Sequence, residues 1–191
     1  GETREEVSEA LRDLHEAELI VISGQNPGTN HPRMLSALEI AKQNGAKILA
    51  INPLREAGLL RFDNPQTPRG ILRGTELADE FLQIRSNGDL ALWQAFGHLL
   101  LAREAAAPGS VVDRDFVDRH TRGFDAYAEH VAGIDRDAVC AATGLEWDRI
   151  ERAADLLAGS RRTVNCWAMG ITQHHNAVAT IKELVNVSLL Q

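Results

Sequence analysis

The sequence predicts an α/β protein with an open parallel sheet of about four or more strands, helices on both faces and a helical insert. Short apolar runs recur along the chain, and each ends in a polar or glycine-rich turn. Each turn leads to a helical pattern, directly or after an insert. The first strand, helix and strand also have the spacing of a right-handed βαβ unit, in which the two strands are parallel.

The N-terminal part of the chain carries the first βαβ unit. A first helix is predicted from about Glu5 to Glu16, because its apolar residues recur on one helical face. The first strand follows at about Leu19–Ser23. The next helix begins at Pro32 and ends near Asn44, because proline suits a first helical position and Gly45 a helix end. The run at Lys47–Ile51 is the second strand.

The remaining elements complete the predicted sheet and supply the insert. A loop spans Leu54–Thr75, where prolines and glycine interrupt every regular pattern. The later elements are, in order, a strand at Glu80–Ile84, a helix at Asp89–Glu104, short helices between Arg114 and Gly159, a strand at Thr163–Trp167 and a helix at about His175–Leu190. At 191 residues the chain (1–191) fits a single domain with a helical insert at about 106–160.

Composition excludes several classes of function. The formal net charge of −7 argues against binding to nucleic acid or to an anionic membrane surface. No apolar run approaches the length that spans a bilayer, so no membrane insertion is predicted. Cys140 and Cys166 are too isolated for a disulfide framework or a metal knuckle, which favours a reduced, cytoplasmic chain without a metal site. The apolar, uncapped ends predict an excised piece of a longer protein.

The turn after the first strand is the strongest candidate for a ligand site. Its sequence, Gly24–Pro32, matches neither the dinucleotide fingerprint nor the phosphate loop. A glycine- and amide-rich turn that feeds a helix nevertheless exposes N–H groups to an anion. The candidate phosphate ligands are Gly24, Asn26, Gly28, Thr29 and Asn30. The alternative is an ordinary connection between strand and helix, which favours the same residue types.

The other three turns add polar side chains that we expect at the same edge, because ligands bind at the carboxyl ends of parallel strands. Asn52 and Arg55 follow the second strand and are candidate ligand contacts. The alternative for Asn52 is an ordinary turn residue, and the alternative for Arg55 is a solvated cation. Asp89 follows the third strand; it either caps a helix or accepts two N–H bonds from a guanine-type edge. The fourth turn offers Gly170, Thr172, Gln173 and His174. We find no nucleophile–base pair, so no catalytic residue is predicted.

Four sequence motifs occur in an order that resembles a known family. They are Gly24–Pro32, Ile51–Arg55, Asn87–Leu92 and Trp167–His174, with the intervening Asp115–Val117 and His120–Phe124 fitting spacer helices. Together they resemble the molybdopterin-guanine-dinucleotide oxidoreductases of the dimethyl-sulfoxide-reductase superfamily. The chain is most similar to formate-dehydrogenase-like alpha subunits, from about Leu19 to Gln191.

This resemblance implies a Rossmann-like domain that binds one molybdopterin guanine dinucleotide within a molybdenum oxidoreductase. It implies two-electron oxidation or reduction of a small substrate such as formate, and possible 4Fe–4S and electron-transfer partners outside this piece. By position, the first turn would hold diphosphate, Asn52 the ribose region and Asp89 the guanine, while Met169–His174 would approach the pterin. Many members have Asp where this chain has Asn52. The molybdenum ligand belongs to a segment absent here, so the isolated piece is expected to be inactive.

Two other functions remain open on the sequence. A nicotinamide- or flavin-binding domain would suit the fold, although the glycine fingerprint and the acid after the second strand are missing. A non-catalytic assembly module with a vestigial pocket would also be compatible with the predicted fold. The enzyme interpretation predicts preference for a guanine nucleotide, whereas the alternatives predict binding of NAD or FAD, or of no nucleotide. The remaining domains of the same chain are the expected partners.

Overall fold

The computed structural model describes residues 12–66 and 73–191. These residues form two compact units. The first unit extends to Gln83 and includes Arg162–Ala168, whereas the second comprises Ile84–Arg161 and Met169–Gln191. The first unit contains the sheet, and the second is helical.

A four-stranded parallel sheet forms the first unit, which confirms the predicted α/β class. Its spatial order is β3-β2-β1-β4. The strands are β1 (Leu19–Ser23), β2 (Lys47–Asn52), β3 (Glu80–Gln83) and β4 (Thr163–Trp167). Both β1 and β4 have the predicted bounds, whereas β2 is one residue longer and β3 ends one residue earlier.

The helices of the first unit include α1 (Pro27–Asn30), α2 (Pro32–Gln43) and α3 (Ala57–Leu60). Residues 12–16 are also helical, while the rest of the predicted first helix lies outside the described residues. As predicted, α2 begins at Pro32 and gives way to Gly45, whose φ of 99° few other residues adopt.

One face of the sheet packs on α2. Ile20 and Ile22 of β1 share a larger buried cluster with Ile48 of β2 and with Leu38 and Ala41 of α2. All five of these side chains are fully buried. The alternation along β1 therefore directs Ile20 and Ile22 to α2 and fixes the register of the sheet.

The second unit is built from helices only. They are α4 (Asp89–Ala106), α5 (Arg114–His120), α6 (Phe124–Ala132), α7 (Arg136–Thr143), α8 (Trp147–Ala158), α9 (Met169–Thr172) and α10 (Ala177–Ser188). Leu92 and Phe96 of α4 are fully buried. Among the described residues, no helix combines the length and the apolar character needed to cross a membrane.

Two of the predicted polar turns are partly helical, which corrects the sequence interpretation. The first turn contains α1 and the fourth contains α9, each of four residues. The predicted loop at Leu54–Thr75 also has structure: it contains α3 and an antiparallel bridge between Phe62 and Thr75. Residues 67–72 of this loop lie outside the described residues.

Candidate functional site

The turns that follow β1 and β2 are tied to each other. Gly24, with a φ of 58°, donates its N–H to the carbonyl oxygen of Ile51 at 3.0 Å. The side chain of Asn52 donates from Nδ2 to the carbonyl oxygen of Gln25 at 2.8 Å. Asn52 is only 5% exposed. Its amide therefore holds the first turn against the second, and the predicted ribose contact stays a prediction.

Asn26 organises the first turn. It occupies the N-cap of α1, where its Oδ1 accepts the N–H of Thr29 at 3.1 Å. Its Nδ2 donates to Oε2 of Glu56 at 2.5 Å. Gly28, Thr29 and Asn30 are exposed. The turn therefore presents three predicted ligand residues to solvent on a short helix that Asn26 stabilises.

Arg55 lies on the second turn, next to Glu56 in the chain. Its guanidinium stacks over the ring of Phe81 in β3, with Cζ 5.4 Å from the ring centroid. The residue is exposed. Stacking leaves the N–H groups at the edge of the guanidinium able to bind an anion, because the contact uses its planar face.

In the second unit, Asp89 is buried at the start of α4. It is 4% exposed, and Gly88 rather than Asp89 occupies the N-cap position. Burial raises the pKa of the Asp89 carboxyl. Its own backbone N–H and the charge of His174 lower this pKa, but by less than burial raises it. Because Gly88 is the N-cap of α4, Asp89 does not have the capping role that was one of its two predicted roles. A buried carboxylate at this place instead favours a role as a hydrogen-bond acceptor.

In the fourth turn, His174 acts electrostatically on Asp89 of the same unit and lowers the pKa of its carboxyl against the effect of burial. Gly170 and Thr172 lie in α9 and are exposed, as is Gln173. The N–H of Gln173 bonds to the carbonyl of Met169 at 3.0 Å, which continues the helical turn. The side chain of Thr172 therefore extends from a short helix, and Gln173 lies in the turn directly after it.

Within each unit, the structure brings some of the predicted residues together. The first unit brings together Gly24, Asn26, Gly28, Thr29, Asn30, Asn52 and Arg55 on adjoining turns. In the second unit, His174 acts electrostatically on Asp89. The predicted meeting of all four turns stays a prediction. Within residues 12–66 and 73–191, no three His, Cys, Asp or Glu side chains are grouped as metal ligands.

Glu56 and Gly58 were missed from the sequence. Glu56 bonds to Asn26, and Gly58 touches Gly28 across the two turns. The run from Glu56 to Gly58 gives no local signal, because both contacts join residues 30 apart in the chain.

Comparisons with known proteins find similar sequences and a similar fold. No family model matches the chain. An uncharacterized oxidoreductase of Mycobacterium tuberculosis is 56% identical over 185 residues, covering 96% of this chain and 24% of that protein. Formate dehydrogenase H of Escherichia coli is 26% identical over 184 residues, covering 96% of this chain and 23% of the relative. The structure of acetylene hydratase from Pelobacter acetylenicus matches with a TM-score of 0.74 and 19% identity, covering 95% of this chain and 24% of that one.

These matches confirm the resemblance that the four motifs predicted. The likeness to acetylene hydratase shows the fold, while the sequence matches are to oxidoreductases. The chain is thus similar in sequence to part of known oxidoreductases, formate dehydrogenase H among them. It spans about a quarter of the length of the curated relatives it matches.

Proposed function

We propose that this chain binds one molybdopterin guanine dinucleotide within a formate-dehydrogenase-like molybdenum oxidoreductase. The observation that carries the proposal is the tied pair of turns at the carboxyl ends of β1 and β2. Open parallel sheets bind their ligands at this edge. Homology to formate dehydrogenase H supports the class of reaction, a two-electron oxidation or reduction of a small substrate such as formate.

The residues of the chain fit the proposed cofactor. Asp89 carries a buried carboxylate, which suits the two parallel N–H donors of a guanine edge. Gly28, Thr29 and Asn30 are exposed on the first turn. The N–H groups of Thr29 and Asn30 already bond to Asn26, so the hydroxyl of Thr29 and the amide of Asn30 are the groups that would donate to a diphosphate. Arg55 adds a cation on the second turn, beside the expected ribose.

The fourth turn completes the proposed assignment. Gly170, Thr172, Gln173 and His174 would approach the pterin end of the cofactor. Thr172 and Gln173 are exposed and can donate to and accept from a heterocycle. His174 would also moderate the charge of Asp89, to which it is electrostatically coupled.

The part played by this chain is to bind and orient. When bound, the molybdenum cofactor supplies the two-electron chemistry. The first turn would bind the diphosphate. Asp89 would make the site selective for guanine over adenine, because adenine lacks the two neighbouring N–H donors that can bond to a carboxylate. The chain contributes no catalytic residue under this proposal, so we expect no turnover from the chain alone.

Partners follow from the same proposal. The remaining domains of a longer chain would enclose the cofactor and supply the molybdenum ligand, with a 4Fe–4S cluster possible among them. A small-molecule substrate and an electron-transfer subunit would complete a cytoplasmic enzyme. Neither nucleic acid nor a membrane is expected to bind, since the chain carries a net charge of −7.

The test is the bound content of the full-length protein purified from cells that make the cofactor. Molybdenum is measured by mass spectrometry, and nucleotides are measured by chromatography after acid release. Molybdenum together with a guanine nucleotide supports the proposal. Bound NAD or FAD would favour the dinucleotide alternative, while absence of both metal and nucleotide would favour an assembly module. Formate oxidation with a dye acceptor then tests the substrate separately.

A further inference from the structure

Glu56 carries a carboxylate that its own helix does not use. The residue lies at the N-cap of α3, yet its side chain makes no capping hydrogen bond there. Its Oε2 instead accepts from Nδ2 of Asn26 at 2.5 Å, across 30 residues of sequence. A hydrogen bond to a carboxylate is stronger than one between two neutral groups. Glu56 therefore acts on the first turn.

The bond to Glu56 fixes which way the amide of Asn26 faces. A carboxylate can only accept, so it selects the Nδ2 end of the amide. This leaves Oδ1 facing the N–H of Thr29, which it accepts at 3.1 Å. A rotated amide would place its N–H groups against the N–H of Thr29 and remove the cap. The conformation of residues 27–30 thus depends on Asn26, and the orientation of Asn26 depends on Glu56.

A second contact joins the same two turns. A Cβ added to Gly58 would lie 3.0 Å from Cα of Gly28, and one added to Gly28 would lie 3.2 Å from Cα of Gly58. The backbones therefore meet where both residues lack a side chain. This contact sets the distance between the turns, while the Asn26–Glu56 bond sets the amide orientation.

We infer that Glu56 is a positioning residue, which acts through Asn26 to hold Gly28, Thr29 and Asn30 ready for a diphosphate. The inference rests on the proposed function of the first turn. The carboxylate also places a negative charge near the expected anion. Two effects therefore oppose each other: the hydrogen bond preorganises the turn, whereas the charge repels the ligand.

Two substitutions separate these effects. Glu56→Ala removes both the hydrogen bond and the charge. Glu56→Gln removes the charge but keeps an oxygen that accepts from Asn26, and the N–H of Thr29 still favours the native amide orientation. The matched control is Glu16→Ala with Glu16→Gln, because Glu16 is an exposed acid of the same unit.

The measurement is calorimetric titration of GDP into the full-length protein prepared without cofactor. We expect Glu56→Ala to weaken binding about tenfold, the effect of losing one charge-assisted hydrogen bond from a preorganised site. We expect Glu56→Gln to bind within about twofold of wild type or more tightly, since the repulsion is gone. Both Glu16 variants should bind as the wild type does.

A double-mutant cycle tests the route through Asn26. In an Asn26→Ala background, Glu56→Ala should cause no further loss and at most a small gain in affinity, because only the repulsion by its charge remains to be removed. Independent losses at the two positions would overturn the inference. Hydrogen exchange of the Thr29 amide gives a readout without ligand: it should speed up in Glu56→Ala and recover in Glu56→Gln.

The outcomes distinguish the inference from the proposal beneath it. If wild type does not bind GDP, the proposed function is wrong, and the ligand role of Glu56 falls with it. If wild type binds GDP and Glu56→Ala binds it equally well, only the role of Glu56 is overturned. That role is also overturned if Glu56→Gln binds GDP as weakly as Glu56→Ala, because an accepting oxygen then gives no rescue.

Discussion

Glu104 anchors the chain that leaves α4 and offers a sharp test of the packing of the second unit. The residue is 6% exposed. Its Oε1 accepts the N–H of Gly109 at 2.8 Å, and its Oε2 accepts those of Val111 and Val112, each at 3.0 Å. Val111 and Val112 are buried as well. One carboxylate therefore satisfies three backbone donors where water is largely excluded.

The substitution Glu104→Gln keeps the size of the side chain and replaces one oxygen with an NH₂ group. In either orientation, that NH₂ faces at least one backbone N–H and leaves it unsatisfied. A hydrogen bond to a charged group contributes about 1.5–3 kcal/mol, and the remaining bonds also lose their charge assistance. We expect the free energy of unfolding to fall by about 2–4 kcal/mol at neutral pH.

The effect should depend on pH in a defined direction. The backbone N–H groups of Val112 and Gly109 lower the pKa of Glu104 below its ordinary value, against the opposing effect of burial. A lowered pKa in the folded state means that the contribution is complete above the unfolded pKa. It is lost as the pH falls through the folded value. The difference between wild type and Glu104→Gln should therefore shrink in acid.

Urea denaturation followed by circular dichroism measures both effects, at neutral pH and at about pH 3. The matched control is Glu129→Gln, because Glu129 is an exposed acid on α6. It should change the free energy of unfolding by less than about 0.5 kcal/mol. The reasoning is refuted if Glu104→Gln is as stable as wild type at neutral pH, or if its deficit is the same at both values.

Three further substitutions test other features of the molecule. Gly58→Ala should lower the free energy of unfolding by about 1–3 kcal/mol, because its Cβ would lie 3.0 Å from Cα of Gly28. The control Gly133→Ala should be nearly neutral, because the nearest atom to its Cβ lies at 3.8 Å. Equal effects of the two substitutions in urea denaturation would contradict the contact between Gly58 and Gly28. Leu38→Ala, in the fully buried cluster on α2, should cost about 2–5 kcal/mol in the same assay, and a loss under about 1 kcal/mol would argue against that packing. Asp89→Asn should reduce the preference for GDP over ADP by about tenfold in calorimetry, and an unchanged ratio would remove Asp89 from the guanine site.

The strands could be predicted from the sequence because local composition determines them. The apolar run at β1 is flanked by Glu18 and Gly24, and β4 is a β-branched and aromatic segment that follows Arg162. The end of α2 could also be predicted locally, because Gly45 adopts a φ of 99°, which glycine reaches more easily than other residues. Each of these features depends on a few neighbouring residues.

The short helices at the turns were missed for an equally physical reason. Four residues are too few for a helical period, and Pro27 with Gly28, like Gly170, are poor helix formers. What stabilises α1 is the cap from Asn26, whose orientation is set by Glu56 from another turn. Contacts between distant residues leave no pattern in a single sequence.

Similar limits apply to the candidate site. The sequence indicated Asn52 as a polar residue after β2, yet its bond to the carbonyl of Gln25 follows only from the pairing of β1 with β2. Asp89 could be named as a cap or as a ligand acceptor from its position alone. Only the structure shows that it is buried and that Gly88 occupies the N-cap.

Nucleotide selectivity tests the central claim most directly. GDP, ADP, NAD and FAD are titrated in turn into the full-length protein prepared without its cofactor. We expect GDP to bind at least about tenfold more tightly than ADP because of the carboxylate of Asp89, and NAD and FAD to bind weakly or not at all. Tighter binding of NAD or FAD than of GDP would contradict the proposed cofactor.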